Sequence, residues 1–225
     1  MGYTIGLVDE EATQLRNIRF TIKTNATELE QLLEFKEYEL EGSKNTLTAL
    51  VTEKIVEDIT SGAIDSLIID YKIMINTAIV EGTDIYHDVH QLVPKFPLVM
   101  LTDVPANCYE KDFVDADKIY LKKEFYKIEG DYSKEKVKNI LKNMERYSKS
   151  RAALSSKLEQ QLNVLTQGDE SLETYLEIAS TERQLDEYCP LGQTQLEKNL
   201  DIAALREAVD LLSEAEEMLG AENGS

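Results

Sequence analysis

Over the first 130 residues, short apolar runs alternate with segments of helical spacing. "YTIGLVD" (3–9) reads as a strand that ends on Asp9, and "EATQLRNIRFTI" (11–22) follows with Leu15, Ile18 and Ile22 at helical intervals. "LEFKEYELE" (33–41) alternates only roughly and makes a poor strand. "LTALVTEKIVEDITSG" (47–62) places Leu47, Leu50, Val51, Ile55 and Ile59 on one side of a helix that stops at Gly62. "SLIID" (66–70) is a strand, "TDIYHDVHQLV" (83–93) a helix closed by Pro94, and "FPLVMLTD" (96–103) a strand entered through Pro97. "NCYEKDFVDA" (107–116) predicts a short helix and "DKIYLKK" (117–123) the last strand. Alternation of this kind implies a parallel sheet covered by helices on both faces. Runs such as "LIID" and "LVML", apolar throughout, suit a sheet buried on both sides.

After Gly130 the period is helical throughout. Residues 134–166 predict one long helix, with Ile140, Met144, Tyr147, Leu154, Leu158 and Leu165 near the positions of a coiled-coil seam. The seam serves either a dimeric coiled coil or an intramolecular bundle. Further helices are expected over 170–188 and 194–219, and "GAENGS" ends the chain. The division is therefore an α/β domain over 1–130 and a helical module over 131–225.

Charge narrows the partners. The 225 residues carry a formal net charge of −19, which repels phosphate backbones and anionic lipid. Nucleic acid and membrane are not expected partners. The charge is uneven: residues 131–157 hold eight basic side chains against three acidic ones, whereas acids dominate from Leu158 onward. Such asymmetry favours pairing with protein, within the chain or between chains. Two cysteines, Cys108 and Cys189, make neither a disulfide framework nor a metal spacing. No signal peptide, myristoylation pattern or membrane-length apolar run is evident, so a cytoplasmic setting is expected.

Each expected strand ends on chemistry. The first delivers Asp9, Glu10 and Glu11, the "SLIID" strand Asp70, the next Thr102 and Asp103, and the last Lys122 and Lys123. Ligands of open parallel sheets bind at these carboxyl ends. Gathered carboxylates raise one another's pKa unless a cation separates them, and hard oxygen ligands with open water positions suit Mg²⁺. An ammonium and a hydroxyl across the gap fit the oxygens of a phosphoryl group. Asp70 is then placed to act as nucleophile and form an acyl phosphate.

"GLVDEE", "LIIDYK", "VMLTD" and "KIYLKKEF", in this order, resemble the signature of bacterial two-component response-regulator receiver domains over roughly residues 3–130. The resemblance implies a flavodoxin-like fold with a five-stranded parallel sheet in the order 2-1-3-4-5. It implies Mg²⁺ held by Asp9, Glu10 and Asp70, with Asp70 the phosphoacceptor and Thr102 the switch hydroxyl. Lys123 corresponds to the family's lysine, because Phe125 stands two places on, and Tyr120 falls on the aromatic switch position. It further implies a sensor histidine kinase or phosphotransfer protein as donor, and no enzymatic activity beyond self-catalysed phosphotransfer and dephosphorylation at Asp70.

The chain departs from the family in four places. Asp9 and Asp70 are unusually far apart, which implies an insertion around residues 22–45. Met74 holds the place of a proline, and the segment to Gly82 is stretched. Asp103 is large and charged where the family is small, and Glu124 replaces the proline after the lysine, where a cis bond without proline is costly.

Other readings of these residues remain. Tyr120 suits plain strand packing as well as a switch. His87 and His90, the only two histidines, fit a surface helix turn better than a metal site, and they leave no histidine phosphotransfer module in the chain. The function expected is a phosphoacceptor response regulator acting through protein–protein contact, with a protein effector bound by the helical module and a homodimer as a further possibility. DNA-binding output is disfavoured because residues 158–225 are acidic. The alternative is a phosphorylation-silent pseudo-receiver serving as adaptor or dimerisation scaffold, which Asp103 and Glu124 favour. A phosphatase or phosphotransferase on the same fold lacks a second catalytic acid in "DYKIM".

Overall fold

The structure is a computed structural model, and it describes residues 2–26, 32–40, 44–75, 78–109, 113–168 and 171–190. Five strands form one parallel sheet in the order β2-β1-β3-β6-β7. They are β1 (Tyr3–Val8), β2 (Leu33–Glu37), β3 (Ser66–Asp70), β6 (Leu98–Thr102) and β7 (Ile119–Leu121). Every residue of β3 and β6 is buried, as their unbroken apolar sequence requires of central strands. The arrangement is α/β and compatible with a flavodoxin-like fold.

One extra element explains the stretched segment after Asp70. Strands β4 (Lys72–Ile75) and β5 (Ala78–Glu81) pair antiparallel as a separate hairpin. Ile73 and Val80 pack into the core, while the cross-strand pair Met74 and Ile79 faces out. The hairpin was not legible as strands, because "KIMI" and "AIVE" are only four residues each and show no alternation of apolar and polar positions. It returns the chain to the sheet edge at Gly82, whose N–H donates to the Tyr71 carbonyl at 2.8 Å. A Cβ on Gly82 would overlap the Asp70 carbonyl, so only glycine allows this approach.

Helices cover both faces. On one side, α2 (Lys44–Ser61) and α3 (Gly82–Leu92) bury Leu47, Val51, Ile55, Ile59, Ile85 and Val89. Leu50, expected on that stripe, is 56% exposed: it lies off the 47-51-55-59 row that meets the sheet. Gly62 ends α2 at φ 74°. On the other side, α1 (Ala12–Asn25) buries Leu15, Ile18 and Ile22. A short helix α4 (Pro105–Tyr109) follows β6, and α5 (Lys122–Phe125) follows β7 directly. The insertion expected around 22–45 and the helix expected over 107–116 fall partly on residues outside those described.

The long helix α6 (Asp131–Thr166) forms as its periodicity predicts. The domain boundary expected at residue 130 does not separate two packing units, however. Val137, Ile140 and Met144 of α6 share one buried cluster with Ile5, Leu7, Ile18, Val99 and Phe125. The first turns of α6 are therefore the second helix on the α1 face. Asn25 Nδ2 donates to Ser133 Oγ at 3.2 Å, and the Leu121 N–H donates to the Tyr132 hydroxyl at 3.0 Å. Further along, the Arg151 guanidinium donates to the carbonyls of Ile59 and Thr60, at 2.9 and 2.7 Å, and caps the end of α2.

Beyond Arg151, α6 pairs with α7 (Leu172–Asp186) around Leu158, Ile178, Leu185 and Cys189. Ser171 caps α7 by accepting from the Thr174 N–H. The end of α7 returns to the α/β domain, where Tyr147 donates to the Tyr188 carbonyl at 2.6 Å and the Lys95 N–H donates to the Glu187 carbonyl at 2.9 Å. The apolar seam of α6 is thus filled from within the chain, first by the sheet and then by α7. The helix expected over 194–219 lies outside the described residues.

Candidate functional site

The site is built at the carboxyl ends of β1, β3 and β7, and its central pair is fixed by burial. Asp70 ends β3 with 8% of its surface exposed, and Asp9 follows β1 at 3%. Lys122, only 6% exposed, opens the helical turn after β7. Its Nζ lies 2.9 Å from Asp70 Oδ1 and 3.5 Å from Asp9 Oδ2. Asp9 Oδ1 accepts the Glu11 N–H at 2.8 Å, which fixes the carboxylate against the start of α1. Glu10 completes the group: carboxylate oxygens of Asp9, Glu10 and Asp70 all lie within 4.8 Å of one another.

The structure corrects the lysine assignment. Lys123, expected to reach the site, is exposed, and Lys122 occupies that place. The reason is local. The chain turns helical immediately after Leu121, so Lys122 and Phe125, three apart, share the inward side and Lys123 points out. Counting back from Phe125 as though the segment were extended misplaces the lysine by one residue.

Thr102 ends β6 at the same edge, 2% exposed, and its Oγ1 accepts the Val104 N–H at 3.0 Å. Asp103 is exposed beside it. Tyr120 is 2% exposed and turns toward the α1–α6 face, with its ring 6.1 Å from that of Phe125 and Lys136 Nζ 5.4 Å above it. In this conformation it is a packed core residue. The His87 ring lies 4.4 Å from that of Phe113 and is tilted 52° to it, and Asp9, Glu10 and Asp70 form the sole candidate metal-binding group among the described residues.

Electrostatics follow from burial. Desolvation pushes the Asp70 carboxyl up to about 6, with the Lys122 ammonium opposing and Asp9 and Glu10 reinforcing the rise. Asp9 is raised for the same first reason, against the Glu11 N–H and Lys122. Burial alone would lower Lys122, but Asp70 and Asp9 outweigh it and hold the ammonium above its ordinary value. One ammonium thus faces three carboxylates. Glu10 Oε2 is buried without a hydrogen-bond partner among the described residues. A hard divalent cation would supply the missing positive charge and that missing partner, so the donor set fits one.

Sequence reasoning passed over Tyr126. Its hydroxyl is buried and has no hydrogen-bond partner among the described residues, and desolvation first, then the charges of Asp9, Asp70, Asp103 and Glu11, hold the phenol protonated. The available signal was its spacing four residues after Lys122, which returns it to the same side of the turn. No family model matches the chain, and no curated protein matches it.

The geometry separates the two lysines experimentally. Lys122→Met should leave three carboxylates without a cation of the protein's own and slow any phosphoryl uptake at this edge by about a hundredfold. Lys123→Ala should change it less than about twofold, because that side chain is exposed and the ammonium paired with Asp70 belongs to Lys122. Initial rates of adduct formation with a small phosphoryl donor compare the two.

Proposed function

We propose that this edge is a phosphoacceptor site of the response-regulator receiver class, with Asp70 the acceptor and protein–protein contact the output, in the cytoplasm. The observation that carries the proposal is the Asp70–Lys122 pair at 2.9 Å, buried beside Asp9 and Glu10 at the end of the central strand. Asp70 presents a carboxylate oxygen to the phosphorus of a donor such as the phosphohistidine of a sensor kinase or phosphotransfer protein. An O–P bond forms and the donor's N–P bond breaks, with its electron pair staying on the imidazole, which takes up a proton. Lys122 screens the carboxylate from the incoming phosphoryl oxygens, and Thr102 lies at the same edge to meet one of them after a change of hydroxyl partner. Asp9, Glu10 and Asp70 would hold Mg²⁺, whose charge supplies the neutralisation that a single ammonium cannot.

Output through protein contact is supported by the acidic surface and by Val164, Leu172 and Leu176, exposed near the turn between α6 and α7. The alternative of a phosphorylation-silent adaptor draws on Asp103, which adds negative charge at the mouth. Incubation with acetyl phosphate and Mg²⁺, followed by intact-mass measurement, distinguishes them. A single phosphoryl adduct that disappears in excess chelator is expected. An unmodified chain supports the silent adaptor, and an adduct of equal yield in chelator removes the metal role.

A further inference from the structure

The sheet face opposite α6 carries a groove of about 580 Å³ between α2 and α3 that no described residue fills. Its walls are amphipathic. Val56 and Leu92 offer apolar surface, with Leu92 52% exposed and Leu50, one turn from the groove, 56% exposed. Glu53, Glu57 and Asp88 line the same groove, and none of the three makes an ion pair among the described residues. Thr52 lines the same groove, 6% exposed, with its Oγ1 buried and without a partner among the described residues.

Charge decides what the groove takes. The chain's own final segment, residues 191–225, carries eight acids and two bases and is repelled by the carboxylates. A second copy offers the lysines of α6, Lys134, Lys138 and Lys142, which are exposed. The apolar side of that helix is already spent on Val137, Ile140 and Met144 in its own core, so it has no stripe to lay into the groove. We infer that the α2–α3 groove docks a basic amphipathic helix of another protein, its apolar stripe on Val56 and Leu92 and its lysines or arginines on Glu53, Glu57 and Asp88. The helix-in-groove mode supplies area from the stripe and register from the charges. The surface is separate from the Asp70 edge and does not depend on phosphorylation there.

The probe is a fluorescent peptide of about eighteen residues, five helical turns, with leucine and lysine in amphipathic order, beside a scramble of the same composition. Anisotropy is read with the full-length chain at about 0.15 M salt, which suppresses attraction by net charge alone. The ordered peptide should bind about tenfold more tightly than the scramble. Leu92→Ser, and the pair Glu53→Lys with Asp88→Lys, should each weaken it about fivefold or more. Glu159→Lys with Glu173→Lys, an equal charge change on α6 and α7, should leave it within about twofold. Amide shifts in a labelled sample should gather on α2 and α3. Equal binding of ordered and scrambled peptides, equal loss in the control pair, or shifts gathered at Asp9 and Asp70 would overturn the inference. So would light scattering that finds a dimer broken by Leu92→Ser, since the occupant would then be a second copy.

Discussion

Asp70→Asn is expected to take up no phosphoryl group and to be more stable than the wild type above pH 6. The two effects share one cause. Burial raises the folded-state pKa of Asp70 to about 6, against 3.8 for the free side chain. As pH falls, the folded state therefore takes up this proton before the unfolded state does. Wild-type stability rises as pH drops from about 6 to about 4, and the cost of the buried charge is fully present above 6. A shift of this size corresponds to about 3 kcal/mol. Asparagine removes the charge but also weakens the partner of Lys122, which keeps only Asp9 at 3.5 Å. A net gain of about 1–2 kcal/mol at pH 8 is expected, vanishing near pH 4. Urea unfolding at the two pH values measures it. Lower stability of the variant at pH 8 would show that the Lys122 pair outweighs the burial cost, and a phosphoryl adduct on the variant would remove Asp70 as acceptor.

Truncation after Gly130 should abolish cooperative folding rather than release a free α/β domain. Val137, Ile140, Met144 and Tyr147 would leave the core, each between 0% and 4% exposed in the full chain. At about 1.5–3 kcal/mol per large apolar side chain the loss is about 6–12 kcal/mol, as large as the whole stability of an ordinary domain. A chain ending after Ser156 keeps these residues and the Arg151 cap on α2, and should fold with its site intact. Circular dichroism and amide dispersion report on both. A fragment 1–130 that unfolds cooperatively near the wild-type midpoint would contradict the packing of α6 against α1 and the sheet.

The sheet was legible because its central strands, "SLIID" and "LVMLT", are apolar at every position but their ends. That pattern both marks a doubly covered strand and points to the polar residue at its mouth. The strand ends pointed to Asp9, Glu10, Glu11, Asp70 and Asp103, the resemblance to receiver domains singled out Asp9, Glu10 and Asp70, and the structure brings the carboxylates of those three together. Other features were not legible, for physical reasons that differ. The β4–β5 hairpin is too short for period two to stand out from a loop. Lys122 and Lys123 are chemically identical, and only the onset of helix at Lys122 decides which points inward. The boundary at 130 followed a change of period, yet a change of period marks a new element and not a new core; α6 spends its first turns on the sheet and its last on α7. The α2–α3 groove was invisible for a related reason. Leu50 counted as a core position by spacing, whereas the stripe that meets the sheet runs through Leu47, Val51, Ile55 and Ile59.

The most direct measurement locates the phosphoryl bond itself. An acyl phosphate is reduced by borohydride to the alcohol, so a phosphorylated aspartate becomes homoserine while free carboxylates survive. The full chain, treated with acetyl phosphate and Mg²⁺ and then reduced, should yield homoserine at position 70 in the peptide that spans β3, and at no other acidic residue. Homoserine at Asp9, Asp103 or elsewhere, or none at all, would contradict the assignment of Asp70 as the phosphoacceptor.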